Sequence, residues 1–176
     1  MITVIFGKRG VGKSTYCKNI VDTSVLPVVV IDTMNEYNKQ SIRMVITDDI
    51  VFDMFKVRLV PKDNVEFAIS MQLISNIRYK YGVNVVIDEV DMWSNPHMIP
   101  VELENALKFS RHYKLNFWCT VRSPQEVNKK ITSLADKFIM FKVTEPRALE
   151  YFSQFNKDLP DILRNLKPYE YHVYEL

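Results

Sequence analysis

The sequence predicts an α/β fold, a mostly parallel sheet with helices on both faces. Three observations predict it. Short β-rich runs alternate along the chain with longer helical patterns, and strand–helix alternation at this spacing joins parallel strands by helical crossovers. Val28–Ile31 is apolar at every position, as a strand covered on both faces must be. Of only four glycines in 176 residues, three (Gly7, Gly10, Gly12) fall between the first strand and the first helical pattern. Glycine permits positive φ and close backbone approach, so this concentration marks a tight loop against a ligand or another backbone. The length suits one domain, residues 1–176, with a sizeable core and not two.

The elements follow in order. Ile2–Phe6 is an apolar strand, the glycine loop comes next, and a helix runs from about Lys13 to Val21. Val28–Ile31 is the second strand, closed by Asp32. Short strands at Met44–Ile46 and Val57–Val60 surround the segment Asp48 to Phe55. Phe67, Met71, Ile74 and Ile77 recur at helical spacing in a helix from Val65 to Tyr81, which Gly82 ends. Val83–Ile87 is a strand closing on Asp88-Glu89. A helix over Glu102–Tyr113 and a strand over Leu115–Thr120 follow, and Ser123-Pro124 starts a short helix. Lys137–Val143 reads as strand, Glu145–Phe155 as helix, and the aromatic Tyr169–Tyr174 as an edge strand.

Composition narrows the function classes. At 47% apolar and 25% charged residues the chain is ordinary for a globular protein, which excludes disorder, collagen-like repetition and a disulfide scaffold. A formal charge of +2 is too mild to announce nucleic acid by itself. The longest apolar run, Val25 to Ile31, contains Pro27 and falls far short of the roughly 20 residues a membrane span needs. The N-terminus lacks the basic region and cleavage site of a signal peptide, and Cys17 and Cys119 read as reduced, buried thiols. The expectation is a soluble cytoplasmic domain.

Gly7-Lys8-Arg9-Gly10-Val11-Gly12-Lys13-Ser14 fits G-x-x-x-x-G-K-[ST] between a strand and a helix, the context that motif requires. Backbone N–H groups of such a loop and of the helix start converge on an anion. Lys13 reaches the β- and γ-phosphates, the Ser14 hydroxyl completes a Mg²⁺ shell, and Thr15 touches the α-phosphate. The cofactors expected are ATP and Mg²⁺. Val85-Val86-Ile87-Asp88-Glu89 is an apolar strand ending in two acids. Asp88 is expected to support Mg²⁺ through its water shell, and Glu89 to polarise an attacking water as general base. An acid pair here favours hydrolysis over transfer to a second substrate. Together these pieces specify a P-loop NTPase fold of the RecA/ASCE type.

At this point the chain resembles the FtsK/HerA superfamily of DNA-pumping ATPases. The likeness runs through Ile31–Tyr37, then Ser110–Pro124 with its helix, strand and Arg-Ser-Pro turn, then Ile131–Phe141, Thr144–Phe152 and Leu166–Tyr171. It implies that Arg111 is a finger reaching a neighbour's γ-phosphate and that Arg122 is the arginine of a sensor turn. A solvated helix face is the plainer reading of Arg111, and an ion pair with Glu126 or Asp91 that of Arg122. One position departs from the family pattern. A glutamine usually precedes the sensor arginine, and here Val121 stands there, so that role is empty or moved to Thr120. Asp32 and Glu36 read either as part of the ATPase machinery or, for Asp32, as a turn cap. Trp93 reads as packing more than as contact with DNA or a partner. His97 and His112 lack partners at metal-ligand spacing. Lys129-Lys130, Lys56 with Arg58, and Arg78 with Lys80 are the basic clusters, each a solvated face by default.

The resemblance is strongest to the minimal genome-packaging ATPases of membrane-containing viruses and phages. It implies an ATP-driven translocase on double-stranded DNA, reduced to the bare motor, with no membrane anchor or winged helix. A homo-oligomeric ring, a hexamer, follows from a finger in trans, and capsid or membrane-vertex proteins are further partners. The place of work would be the host cytoplasm or the virion. Two rivals stand beside it. One is a nucleotide-dependent assembly factor of the zonular-occludens-toxin type, and the other a small nucleoside or nucleotide kinase, for which the chain shows no arginine-rich lid.

Overall fold

The computed structural model describes residues 1–44, 55–77 and 79–176. Within them one sheet holds the strands β1 (Ile2–Phe6), β2 (Val28–Ile31), β3 (Ile42–Arg43), β4 (Lys56–Leu59), β5 (Val83–Ile87), β6 (Leu115–Val121), β7 (Lys137–Phe141) and β8 (Tyr171–Glu175). They lie in the order β3-β4-β2-β5-β6-β1-β7-β8. Seven run parallel and β8 is antiparallel to β7. The helices are α1 (Lys13–Thr23), α2 (Asn64–Asn76), α3 (Val101–Lys108), α4 (Ser110–Tyr113), α5 (Lys129–Ser133), α6 (Pro146–Ser153) and α7 (Leu159–Asn165). The predicted fold class is the one observed.

The period of two in β1 divides the core. Ile2, Val4 and Phe6 face one cluster, which α2, α3, α5, α6 and α7 cover with residues such as Phe67, Leu107, Ile131, Phe152 and Leu163. Ile5 faces the other, where α1 supplies Cys17 and Val21 and no second helix contributes a buried apolar residue among those described. One face thus has several helices and the other has α1. At the N-terminal end of the strands a polar belt closes the sheet. Asn84 Nδ2 donates to Ser24 Oγ (3.0 Å), Asn116 Nδ2 donates to Asn84 Oδ1 (3.2 Å), and the Ile2 N–H donates to Asp136 Oδ2 (2.7 Å).

Several expected boundaries move for identifiable reasons. The helix expected to reach Tyr81 ends at Asn76, where Ile77 turns extended (φ −63°, ψ 130°). Gly82 serves a turn and not a helix stop. At φ +102° a Cβ there would stand 2.8 Å from the Lys114 carbonyl oxygen, and the same carbonyl accepts the Val83 N–H (3.0 Å) that begins β5. The helix expected over 102–113 divides at Phe109 into α3 and α4, and Lys114 closes the second in left-handed conformation (φ 56°). The short helix after Ser123 is a 3-10 turn over Pro124–Glu126, and the later strand and helix stop at Phe141 and Ser153. α5 and α7 lie where no helix is expected. Pro160 sits in the first turn of α7, where its missing N–H costs nothing.

β3 covers Ile42–Arg43 and ends before the strand expected over Met44–Ile46; Met44 lies outside it, and Val45, Ile46 and Asp48–Met54 lie outside the described residues, as does Arg78. Among the described residues no helix is long and apolar enough to cross a membrane.

Candidate functional site

β1 carries the glycine loop to the middle of the sheet, with β5 and β6 on one side and β7 and β8 on the other. Gly10 and Gly12 adopt φ 82° and 112°, a region L side chains avoid. Gly12 has a second reason to be glycine. A Cβ there would stand 3.2 Å from the Tyr169 ring and 3.3 Å from the Phe141 ring. The start of α1 is bare, with no side-chain cap and no acid in its first turn. α2, by contrast, is capped by Asp63, whose carboxylate accepts from the Val65 and Glu66 N–H groups (both 2.9 Å). Free N–H groups and the positive end of the helix dipole at α1 are suited to an anion.

Lys13 is buried at the head of α1, and its Nζ donates to the carbonyls of Gly7 (2.5 Å) and Lys8 (3.1 Å). Burial lowers its pKa, and Asp88 partly opposes that shift. A cleft of about 510 Å³ opens over the loop, lined by Arg9, Gly10, Gly12, Lys13, Ser14 and Thr15 and, opposite, by Asp88, Glu89 and Arg122. Gly7 lies beneath, packed on Phe141 and Val11, while Lys8 is exposed on the loop's outer side. The residues read from the motif and from the acid pair therefore converge.

Asp88 is buried, and both of its oxygens are engaged. Oδ1 accepts from Thr120 Oγ1 (2.6 Å), and Oδ2 accepts from the Tyr37 hydroxyl (3.2 Å). Thr33 Oγ1 donates to the Asp88 carbonyl (2.9 Å) and accepts from Trp93 Nε1 (3.0 Å). The Trp93 ring stacks on Phe67 (4.7 Å, 9°), so the packing reading of Trp93 holds. Asp32 caps the turn after β2 by accepting from the Glu36 (2.8 Å) and Tyr37 (2.9 Å) N–H groups. Arg58 is buried against Asp32 (3.6 Å) and the Ser41 carbonyl (2.5 Å), a structural role.

Glu89 stands in left-handed conformation (φ 55°, ψ 57°), and its N–H donates to Thr120 Oγ1 (2.7 Å). Thr120 thus joins both acids, whereas Val121, next along β6, points into the core. The missing glutamine leaves a threonine holding the acids and a valine packing. Arg122 Nη2 meets Glu89 Oε1 (3.3 Å) and its Nε lies 3.7 Å from Asp91 Oδ2. The Glu89 carboxylate raises the pKa of Arg122. Burial pushes the Asp91 carboxyl up to about 6, and its Oδ1 is buried without a partner.

Arg111 is elsewhere. It projects at the opposite end of the strands, 83% exposed, with Nη2 on Asp136 Oδ1 (2.6 Å), the acid that also holds the first N–H of β1. The described residues include no group of three or more His, Cys, Asp or Glu able to hold a metal. No sequence pattern marks Tyr37 as a partner of Asp88 or places Tyr169 at the cleft. The first contact spans 51 positions, a separation at which no local pattern carries a signal.

No protein-family model matches the sequence, and no curated protein matches it. Solved structures do match. The chain is similar to the genome packaging NTPase B204 from Sulfolobus turreted icosahedral virus 2 in complex with ATP-gammaS, with 20% identity over 99% of this chain and 91% of that one (TM-score 0.86). It is also similar to the N-terminal domain of zonular occludens toxin from Neisseria meningitidis, with 14% identity over 82% and 78% of the two chains (TM-score 0.56). A third similarity is to the cytoplasmic domain of the Type VII secretion ATPase EccC from Thermomonospora curvata, with 11% identity over 80% of this chain and 19% of that one (TM-score 0.57). At these identities the likeness establishes the fold, that of the P-loop NTPases.

Proposed function

We propose that this chain is an ATP-hydrolysing motor that moves double-stranded DNA as a homo-oligomeric ring, in the packaging of a viral genome. One observation carries the reading: a glutamate and an arginine 3.3 Å apart face a phosphate loop in a chain that aligns with a viral packaging NTPase over nearly the full length of both. The place of work that goes with it is the host cytoplasm or the virion, with capsid or membrane-vertex proteins as further partners.

The residues divide the work. A triphosphate draws Lys13 off the Gly7 and Lys8 carbonyls, exchanging neutral acceptors for charged oxygens. The N–H groups of residues 10–15 cradle the phosphates. Mg²⁺ fits this site as a companion of the nucleotide. The donors present, Ser14 and Asp88, are hard oxygens, and among the described residues too few acids gather to hold an ion without phosphates. Both Asp88 oxygens already accept protein hydrogen bonds, which suits a carboxylate that reaches the ion through water. Held with ATP by Ser14 and, through water, by Asp88, the ion would supply positive charge against that of the triphosphate. Glu89 takes the proton of the attacking water, and Arg122 shifts from Glu89 towards the charge that spreads over the transferring group. Arg111, remote from its own cleft, serves the cleft of the next subunit.

The test is the ATPase rate per subunit against protein concentration, with and without duplex DNA, for the wild type and Glu89→Gln. The expected result is a rate that climbs with concentration and rises with DNA, and a Glu89→Gln chain that binds ATP but turns over at least about 100-fold more slowly. A flat, DNA-indifferent rate overturns the motor reading. It would favour the assembly-factor reading, which the similarity to zonular occludens toxin supports. Phosphate appearing on a nucleoside would point to a kinase.

A further inference from the structure

The two sides of the phosphate loop carry different chemistry. Towards β5 and β6 stand Asp88, Glu89 and Arg122, the charged side. Towards β7 and β8 the wall is aromatic. Tyr16 packs edge-on against Tyr171 (5.0 Å), and Tyr171 lies 5.6 Å from Phe141. Tyr169 stands in front of this cluster at the cleft itself, its ring against Gly12. Packing does not account for Tyr169, which is 71% exposed. Its backbone is left-handed (φ 67°), a conformation tyrosine seldom takes. A small turn enforces it. The Glu170 N–H donates to the Lys167 carbonyl (3.1 Å), and the Lys167 N–H donates to Glu170 Oε2 (2.8 Å).

From this placement we infer that Tyr169 is the platform on which the nucleobase stacks, an inference that rests on the nucleotide reading of the cleft. A triphosphate whose reacting end lies at Glu89 runs across the loop and past Thr15, so its nucleoside end arrives at the β7–β8 side. A flat ring with a solvent-facing side is the surface a base needs. Stacking is indifferent to which base is present, because every base has a π-face. Tyr169 therefore raises affinity for nucleotides over bare phosphate chains and does not choose adenine over guanine.

The experiment is calorimetric titration of the wild type, Tyr169→Gly and Tyr169→Phe with ATP, GTP and inorganic tripolyphosphate, each with Mg²⁺, alongside thermal melts. Glycine suits the positive φ, so Tyr169→Gly removes the ring without adding strain, and its Tm is expected to stay at or above the wild-type value. The expected result is a loss of about tenfold in ATP and GTP affinity alike, no change for tripolyphosphate, and retention within about twofold in Tyr169→Phe. Equal losses for tripolyphosphate, or unchanged ATP affinity in Tyr169→Gly, overturn the inference. A wild-type chain that binds neither ATP nor tripolyphosphate overturns the nucleotide reading instead, and this inference falls with it. Lys13→Ala, expected to abolish binding of all three, marks that case.

Discussion

Asp91 occupies an environment at odds with its charge. Its side chain is 8% exposed, Oδ1 has no partner, and burial moves its carboxyl up to about 6 from 3.8. Between those two pH values the folded chain holds a proton there that the unfolded chain has released. Stability from this group is therefore greatest at acidic pH and is lost as pH rises through about 6. Asp91→Asn removes the penalty, so its Tm relative to wild type is expected to rise by about 2–4 °C between pH 4.5 and 7.5. A difference that stays constant across that range would place the burial cost elsewhere. At this scale the sequence shows the residues with a fixed local register, Lys13, Ser14, Asp88 and Glu89. It does not show the contacts of Tyr37 and Thr120 with Asp88, which form only when β2, β5 and β6 lie side by side.

The elements repeat that division. Strands apolar throughout were legible because burial on both faces leaves no room for alternation. The patterns of α1 and α2 were legible in their interiors and failed at their ends, whereas the one over 102–113 breaks inside at Phe109, and α5 and α7 lie where no helix is expected. Gly82 is the instructive case. Its position after a periodic run reads as a helix stop, yet its role is to let the turn pass against Lys114 before β5. Gly82→Ala combines an unfavourable φ with a backbone clash and is expected to cost about 1–3 kcal/mol, read as a lower urea midpoint. An unchanged midpoint would mean that the turn has slack. The 3-10 turn at Val90–Met92 belongs here too, since it sets Glu89 and Asp91 on either side of the Arg122 guanidinium.

In the whole molecule the cleft and Arg111 occupy opposite ends of the strands, which gives the chain two unlike surfaces. Head-to-tail contacts join unlike surfaces and close into a ring when the rotation from one copy to the next closes. If Arg111 serves the next subunit, Arg111→Ala and Glu89→Gln chains are each inert alone, and an equimolar mixture regains activity wherever an intact cleft meets an intact arginine. A mixture no more active than its components would leave Arg111 as the surface partner of Asp136. The resemblance in the sequence raised the idea of a finger in trans. Its distance from the cleft is a property of the sheet, visible only once β1 and β6 are placed side by side.

The uneven cover of the sheet gives α1 a mechanical character. The helix is a strut of 11 residues, roughly 16 Å long, with the phosphate loop at its head and Ser24 at its foot. There Ser24 is pinned to Asn84, and Asn84 to Asn116, with β1 between Asn116 and the Asp136 that holds Arg111. Close-packed interiors compress little and transmit strain, so α1 forms a direct mechanical link between the phosphate loop and the polar belt.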